Sequence, residues 1–257
     1  MSNVEKCNDA ARSRALVDEY YSDPARRPSF VRDMFNRSAQ HYNLVNQIFS
    51  FGSGAWYRRT CLQKAGVRTG VRVVDVAAGT GLLAREAVAL TGDSSAVIGV
   101  DISEAMLAIA QRNVGIPLIQ AAAEALPLAP DIADFVTMGY ALRHVADLGG
   151  ALNEAMRILL PGGSLVLLEI SAPRKRLYRV LAAGFIGFIL PLLSLLMTRD
   201  GRARTLMRYH WQTIAAYMPP DVVMRVMAAS GFTNVACSSE FDLFHLYTGQ
   251  KPKAQAQ

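Results

Sequence analysis

Apolar residues recur at helical spacing over an early stretch of the chain, from Ser29 to Ala65. Phe30, Met34 and Phe35 begin a pattern that predicts two or three amphipathic helices. Residues 1–28 are polar and charged and end in DPARRP, so we expect a flexible leader there. The leader has no apolar core, and we therefore expect no signal peptide.

The pattern changes at Val71, where short apolar runs begin to alternate with helical stretches. Five such runs predict strands, at 71–78, 96–101, 116–121, 134–141 and 164–170. Ser103 is placed to cap the helix after the second strand. Alternation of this kind predicts βαβ units, and strands that are apolar throughout are typical of a sheet covered on both faces. The sequence therefore predicts a Rossmann-like α/β fold with a doubly wound, mostly parallel sheet behind N-terminal helices.

Residues 173–218 interrupt the alternation. The segment 180–197 has no charged residue, and a straight helix of that length spans roughly 27 Å, just short of a bilayer core of about 30 Å. Pro191 lies inside it and should kink or end a helix. We expect 173–218 to be a helical lid over the carboxyl edge of the sheet, where ligands bind in such folds. Contact of 180–197 with a membrane, a substrate or a partner subunit stays open.

Composition and charge narrow the class of protein. Hydrophobic residues make up 51% and charged residues 19%, which allows a large core and excludes global disorder. The three cysteines, Cys7, Cys61 and Cys237, are far apart and form no Cys/His cluster, so we expect a cytoplasmic protein with neither a disulfide nor a metal site. The net charge of +6 is spread without a basic and aromatic stripe, so we expect no nucleic-acid partner. Basic residues flanking 180–197 favour peripheral contact with an anionic membrane.

A glycine turn follows the first predicted strand. The segment VVDVAAGTG places Asp75 at the strand end and Gly79 and Gly81 in the turn, where glycine lets backbone approach a ligand. The spacing is neither the G-x-G-x-x-G of dinucleotide sites nor a phosphate-binding P-loop. Asp101 ends the second strand, where a carboxylate can accept both hydroxyls of a ribose. This arrangement indicates S-adenosylmethionine; the alternative is an ordinary strand–helix turn with Asp101 as a helix cap.

These residues belong to a wider resemblance. From Phe30 to Lys251 the chain resembles the ubiquinone/menaquinone biosynthesis C-methyltransferases, a branch of the class I S-adenosylmethionine-dependent methyltransferases. The similar segments stand in collinear order and include MFNRSAQHYNLVNQIFSFG, WYRRT, VDVAAGTG, VDISEAML, ALRHV and PPDVVMRVMAASGF. The resemblance implies one Rossmann-like methyltransferase domain over 29–257, with S-adenosyl-L-methionine as its cofactor.

The resemblance also implies roles for single residues. Thr80 and Asp101 would hold the methionine and ribose parts of the cofactor, and Gly139 would border the sulfonium. Ala122 and Ala123 would lie along the adenine, although the family usually has Asn at 122. The expected cofactor site comprises Asp75, Gly79, Thr80, Gly81, Asp101, Ala122, Ala123 and Gly139.

The acceptor side offers three candidate catalytic residues. Arg143 and His144 follow the fourth strand, where substrate meets cofactor in this fold. Arg143 matches the family and could stabilise a phenolate or orient a water, whereas His144 replaces the usual Asn and could act as a base near neutral pH. The alternative is that Arg143 pairs with Asp147 and His144 caps a helix. Tyr42 would lie over the cofactor or in the core.

Further departures from the family bear on the acceptor. Asn43 and Leu82 stand where the family has acids, which together with His144 indicates an acceptor other than the usual quinone precursor. His210 lies in a predicted helix whose aromatic residues could line an acceptor pocket, and His245 is expected to be structural.

The leading interpretation is an enzyme that C-methylates a hydrophobic aromatic, quinol-like or prenylated acceptor in secondary metabolism. O- or N-methylation of a small aromatic, and a non-catalytic scaffold of a biosynthetic complex, are the alternatives. A homodimer also stays open.

Overall fold

A computed structural model of the chain describes residues 27–50, 52–192, 213–214 and 217–253. The expected leader falls almost wholly outside these residues, and the first described helix begins at Arg27. The elements are α1 (Arg27–Phe49), α2 (Gly54–Ala65), β1 (Val73–Val76), α3 (Leu82–Thr91), β2 (Val97–Asp101), α4 (Glu104–Val114), β3 (Leu118–Gln120), β4 (Ala133–Gly139), α5 (Leu148–Ile158), β5 (Leu159–Ile170), α6 (Arg176–Gly184), α7 (Pro220–Ala229), β6 (Thr233–Glu240) and β7 (Phe244–Gln250).

The strands form one sheet in the order β3-β2-β1-β4-β5-β7-β6. The first five of these are parallel, and β7 runs antiparallel to both β5 and β6. The predicted doubly wound, mostly parallel sheet is therefore confirmed. The chain order reverses between β1 and β4, and such a switch point leaves a crevice at the carboxyl ends of the strands.

The strand β5 begins at Leu159, earlier than the predicted start at Ser164. The intervening Pro-Gly-Gly sequence is typical of a turn, and it misled the prediction. The ladder with β4 shifts register between Ala133 and Phe135, and the backbone of Gly162 and Gly163 instead exchanges hydrogen bonds with Lys251, just after β7.

Two apolar layers cover the sheet. On one face, α2 and α3 bury residues such as Leu62 and Ala87 against β1 and β5. On the other face, α5 and α7 bury residues such as Leu152 and Val226 against β4 and β7. Burial on both sides explains why the parallel strands are apolar at nearly every position. It also leaves polar side chains mainly to the strand ends, where they can meet a ligand.

The apolar segment after β5 folds as α6 and continues through a π-helical turn, Phe185–Ile189, to Leu192. The N–H of Leu190 bonds the carbonyl of Phe185, and this wider turn directly precedes Pro191, which cannot donate an N–H. The predicted disturbance at Pro191 thus takes the form of a π-turn. No helix among the described residues is both long and apolar enough to cross a membrane. Residues 193–212, including His210, lie outside the described residues.

Candidate active site

The glycine turn between β1 and α3 is built by three residues with positive φ: Ala77, Gly79 and Gly81. The N–H of Gly81 closes the turn on the carbonyl of Ala78 at 3.0 Å. A Cβ on Gly81 would stand 2.5 Å from a methyl group of Val114, so this glycine permits close packing of the turn against α4. Gly79 has no atom within 4 Å of where its Cβ would lie, and it faces an open cleft.

Asp101 lies at the end of β2, and its carboxylate holds the glycine turn in place. One oxygen accepts the N–H of Gly79 and the other accepts the N–H of Ser103, both at 2.8 Å. The Ser103 hydroxyl caps α4 through the N–H of Met106, as predicted. A carboxylate offers about four acceptor positions, so each Asp101 oxygen keeps one for a ribose hydroxyl. The carboxyl is almost buried, and burial raises its pKa.

The cleft beside Gly79, which we term the glycine-turn cleft, runs along the carboxyl ends of β1, β2 and β4. Its walls include Asp101, the segment 121–124 and the segment 139–141. Ala122, Ala123 and Gly139 thus line this cleft, and their predicted contacts with the adenine and the sulfonium stay predictions. Small side chains at 121–123 leave a flat apolar strip, which suits the face of an adenine ring. A hydroxyl acceptor beside an apolar strip fits S-adenosylmethionine.

Asp75, Thr80 and Gly81, three residues expected to bind cofactor, do not line this cleft. Asp75 is fully buried and accepts a hydrogen bond from the Thr137 hydroxyl at 2.7 Å. Burial raises the pKa of Asp75 to about 7, although Thr137 opposes the shift. Thr80 belongs to the glycine turn, and the buried hydroxyl of its side chain points to Asn43.

Helix α1 covers the glycine-turn cleft and is fastened to it by two asparagines. The Thr80 hydroxyl donates to Asn43 Oδ1 at 2.5 Å, and the Ser103 hydroxyl donates to Asn36 Oδ1 at 2.5 Å. Asn43 therefore holds α1 on the glycine turn, a structural role beyond its replacing the acid that the family has at this position. Sequence reasoning missed Asn36, because an Asn on a helix carries no signal of a partner distant in sequence.

Three side chains of α1 complete the cleft: Val31, Phe35 and Tyr42. Phe35 packs edge-on against His144, with ring centroids 5.2 Å apart. His144 lies at the end of a short 3₁₀ turn, Leu142–His144, on the wall of the glycine-turn cleft. Its predicted role as a base towards the acceptor stays a prediction, because its position is on the cofactor side.

A second cavity of about 590 Å³, which we term the large cavity, adjoins this cleft. Tyr42 and Tyr140 line both spaces, so the two cavities adjoin at these residues. Tyr140 has a positive φ of 61°, a strained value for a bulky residue that turns the chain sharply after β4. The remaining walls come from α1, α2, the lid region and the β6–β7 turn, and they are mostly apolar. An aromatic or aliphatic ligand suits such a lining.

Arg143 lines the large cavity, and its guanidinium forms a buried ion pair with Glu169. The structure thus shows an ion pair between Arg143 and Glu169 on β5. The alternative pairing of Arg143 with Asp147 stays a prediction. Burial raises the pKa of Glu169, and the adjacent Arg143 opposes that shift. Glu169 was missed, although an acid near the end of an apolar strand is itself a signal. His245 on β7 is paired opposite Glu169 on the adjacent strand β5. Its ring is buried between the hydroxyls of Ser171 and Ser239, at 2.8 and 2.7 Å.

A cofactor cleft at the switch point of this sheet, joined to a large apolar cavity, defines an S-adenosylmethionine-dependent methyltransferase. The fold agrees with solved structures: an S-adenosylmethionine-dependent methyltransferase from Thermotoga maritima superposes with a TM-score of 0.61 at 21% identity, covering 86% of this chain and 99% of the other. A phosphoethanolamine N-methyltransferase of Haemonchus contortus, solved with S-adenosylmethionine, gives 0.57 at 15% identity, covering 87% of this chain and 60% of its own.

The sequence comparison is more specific. The model of the ubiE/COQ5 methyltransferase family matches residues 22–243, and the chain belongs to this family. The ubiquinone/menaquinone biosynthesis C-methyltransferase UbiE of Geobacter sulfurreducens is 33% identical over 229 residues, which cover 86% of this chain and 88% of the relative. The chain is thus an S-adenosylmethionine-dependent methyltransferase, and the predicted family, cofactor and enzyme class are confirmed.

Proposed function

We propose that the enzyme methylates a ring carbon of a hydrophobic, quinol-like aromatic acceptor held in the large cavity. The observation that carries this proposal is the junction at Tyr42 and Tyr140, where an apolar cavity of about 590 Å³ meets the glycine-turn cleft. A drug-sized ligand occupies a site of about 300–1,000 Å³, so a ring with part of an apolar tail fits there. The UbiE relatives are C-methyltransferases of ubiquinone and menaquinone biosynthesis, which supports a carbon over an oxygen or nitrogen as the methylated atom.

The chemistry requires alignment and the loss of one proton. A ring carbon made nucleophilic by an adjacent phenolate displaces the methyl group from sulfur, so a C–C bond forms and the C–S bond breaks. The ring carbon then releases its proton to a base. Arg143 lies in the cavity wall, where a guanidinium can stabilise the phenolate, and Glu169 fixes its position. Tyr42 and Tyr140 flank the path between the two reactants.

The described residues of the segment 173–218, namely 173–192 and 213–214, are proposed as part of a lid over the acceptor. Phe185 and Ile186, in the π-turn just after α6, line the large cavity together with Ile214. Ile186 and Ile214 are buried in one apolar cluster with Ile170 of β5, so the described lid residues rest on the sheet edge. A lid of this kind excludes water from the reacting groups.

The experiment that tests this function uses S-adenosylmethionine with a deuterated methyl group and a reduced benzoquinol that carries an alkyl tail. We expect a product heavier by one labelled methyl group, and proton NMR should show the loss of one aromatic proton. A product that keeps every ring proton and gains a methoxy group would contradict C-methylation. The same quinol without an alkyl tail is the control for the apolar cavity, and it should react more slowly.

We also propose that the outer face of the helical segment 176–192, which comprises α6 and the π-turn after it, contacts an anionic membrane from which a hydrophobic acceptor can enter. The inner face of this segment, at Ala182, Ile186 and Leu190, is buried, but the outer face is apolar too. Phe188 is 72% exposed and Leu177 is 67% exposed. The exposed apolar residues of this face are Leu177, Tyr178, Val180, Leu181, Phe188, Ile189 and Leu192.

Charge next to this face supports a lipid partner. Lys175 and Arg176 are exposed at the start of α6, where they can meet anionic headgroups while the apolar side chains enter the interface. Sedimentation with phosphatidylserine vesicles should exceed that with phosphatidylcholine vesicles, and Phe188→Ser should reduce it. Phe241→Ser, which removes an equally exposed ring on the β6–β7 turn, is the control. Equal binding by the Phe188 variant would contradict this proposal.

A further inference from the structure

Arg58 on α2 is a buried cation that the proposed chemistry does not use. It is 8% exposed and lines the large cavity. Its guanidinium lies 5.5 Å from the centre of the Tyr140 ring, and one of its nitrogens is 3.5 Å from Asn46 Oδ1. Within the part of the chain that the structure describes, no carboxylate lies within ion-pair distance of it. Arg58 belongs to the WYRRT segment of the sequence.

The neighbouring cations are paired, which sets Arg58 apart. Arg59 is half-exposed and lies 2.9 Å from the carboxylate of Glu86. Arg143 pairs with Glu169, and Lys64, on the rim of the large cavity, lies 3.4 Å from Glu240. The large cavity therefore has a surplus of positive charge, and Arg58 is its source.

A buried guanidinium without a carboxylate is costly. Arginine does not lose its proton at physiological pH, and removing an ion from water costs several kcal/mol unless a counter-charge replaces the lost hydration. The Tyr140 ring face, one long amide contact and the charge of the buried Asp75, which lies beyond ion-pair distance, supply only part of this. The position is also kept clear, because a Cβ on Gly54 would stand 2.9 Å from the Arg58 Nη1 atom. The planar fork of the guanidinium matches both oxygens of a carboxylate.

We propose that Arg58 binds a carboxylate on the ring of the acceptor, so that the enzyme prefers an acidic phenol with an apolar tail over a neutral quinol. This inference rests on the proposed function, since it assumes that the large cavity holds the acceptor. Tyr140 connects the two, because its ring contacts Arg58 and also forms the junction with the glycine-turn cleft. A carboxylate at Arg58 therefore orients the ring next to the methyl donor.

Binding without turnover tests the role of Arg58. The probes are a ring-alkylated para-hydroxybenzoate and the matching carboxamide, titrated by calorimetry into the protein saturated with S-adenosylhomocysteine. The wild-type protein should bind the carboxylate at least about tenfold more tightly than the amide. Arg58→Met should remove this preference, and Arg58→Lys should keep part of it because Lys keeps the charge without the fork. Arg59→Met, a change of the adjacent residue outside the cavity, should leave the preference unchanged.

Two binding results and one turnover result would overturn this role of Arg58. Equal binding of acid and amide by the wild-type protein would overturn it, and so would an undiminished preference in Arg58→Met. The affinity for S-adenosylhomocysteine should stay within about twofold of wild type in Arg58→Met, which shows that the variant is folded. Failure of the proposed function is a separate result: no labelled methyl group would reach any quinol or phenol, whereas the acid–amide comparison needs no methyl transfer. Methylation of a neutral quinol in preference to the acid would keep the proposed function and overturn this inference.

Discussion

Replacing Asp101 with asparagine should separate the cofactor role of this residue from an ordinary helix-capping role. Each carboxylate oxygen already accepts one backbone N–H, from Gly79 or Ser103, and has one position left for a ribose hydroxyl. Asparagine replaces one carboxylate oxygen with an NH₂ group. This group faces a backbone N–H and cannot accept a hydrogen bond from a ribose hydroxyl. One charge-assisted hydrogen bond is then lost and the other becomes neutral. With about 1.5–3 kcal/mol for a hydrogen bond to a charged group, we expect a loss of roughly 2–4 kcal/mol in cofactor binding.

This loss corresponds to about 30-fold to 900-fold weaker binding of S-adenosylhomocysteine, measured by calorimetry. Glu104→Gln is the matched control, since Glu104 is an exposed acid in the first turn of α4 outside the cleft. It should bind within about twofold of wild type. Urea unfolding of both variants identifies any loss of folded protein. If folded Asp101→Asn protein bound within about threefold of wild type, the ribose assignment would be refuted.

Three further changes test the buried groups around the site. Glu169→Gln removes the negative charge beside the buried Arg143 guanidinium, so urea unfolding should show a loss of about 3–5 kcal/mol; a loss below about 1 kcal/mol would contradict the ion pair. Gly81→Ala places a side chain at a φ near +83° and against Val114, so the free energy of unfolding should fall by at least about 2 kcal/mol. Adding Val114→Ala should restore part of this stability if the clash is its cause. Asp75 has a pKa raised to about 7, so between about pH 4 and pH 7 the folded state binds more protons than the unfolded state and stability falls as pH rises. Asp75→Asn should flatten this slope in the unfolding free energy, and an unchanged slope would refute the assignment.

The sheet was predictable because its signals are local. Apolar runs bounded by glycine turns predicted β1 to β5, and alternation with helices predicted parallel pairing. The Ser103 cap was predictable for the same reason, since a cap lies within one turn of the residues it serves. The start of β5 was not, because Pro161 and two glycines normally end a strand, whereas here Gly162 and Gly163 exchange backbone hydrogen bonds with the distant Lys251.

The cofactor side was easier to predict than the acceptor side. Gly79, Asp101 and Gly139 lie at strand ends, and the sheet order alone brings them to one cleft. The pairing of Arg143 with Glu169, and the burial of Arg58 beside Tyr140, depend on how α2 and the 3₁₀ turn after β4 pack on the sheet. No short spacing in the sequence encodes those contacts.

We propose that the two cavities meet between Tyr42 and Tyr140, where the methyl group passes from cofactor to acceptor. A crystal structure of the complex with S-adenosylhomocysteine tests this directly. We expect the ribose hydroxyls on Asp101, the adenine along Ala122 and Ala123, and the sulfur next to Tyr140, facing the large cavity. A sulfur atom directed away from the large cavity, or separated from it by a closed wall of side chains, would contradict methyl transfer between Tyr42 and Tyr140.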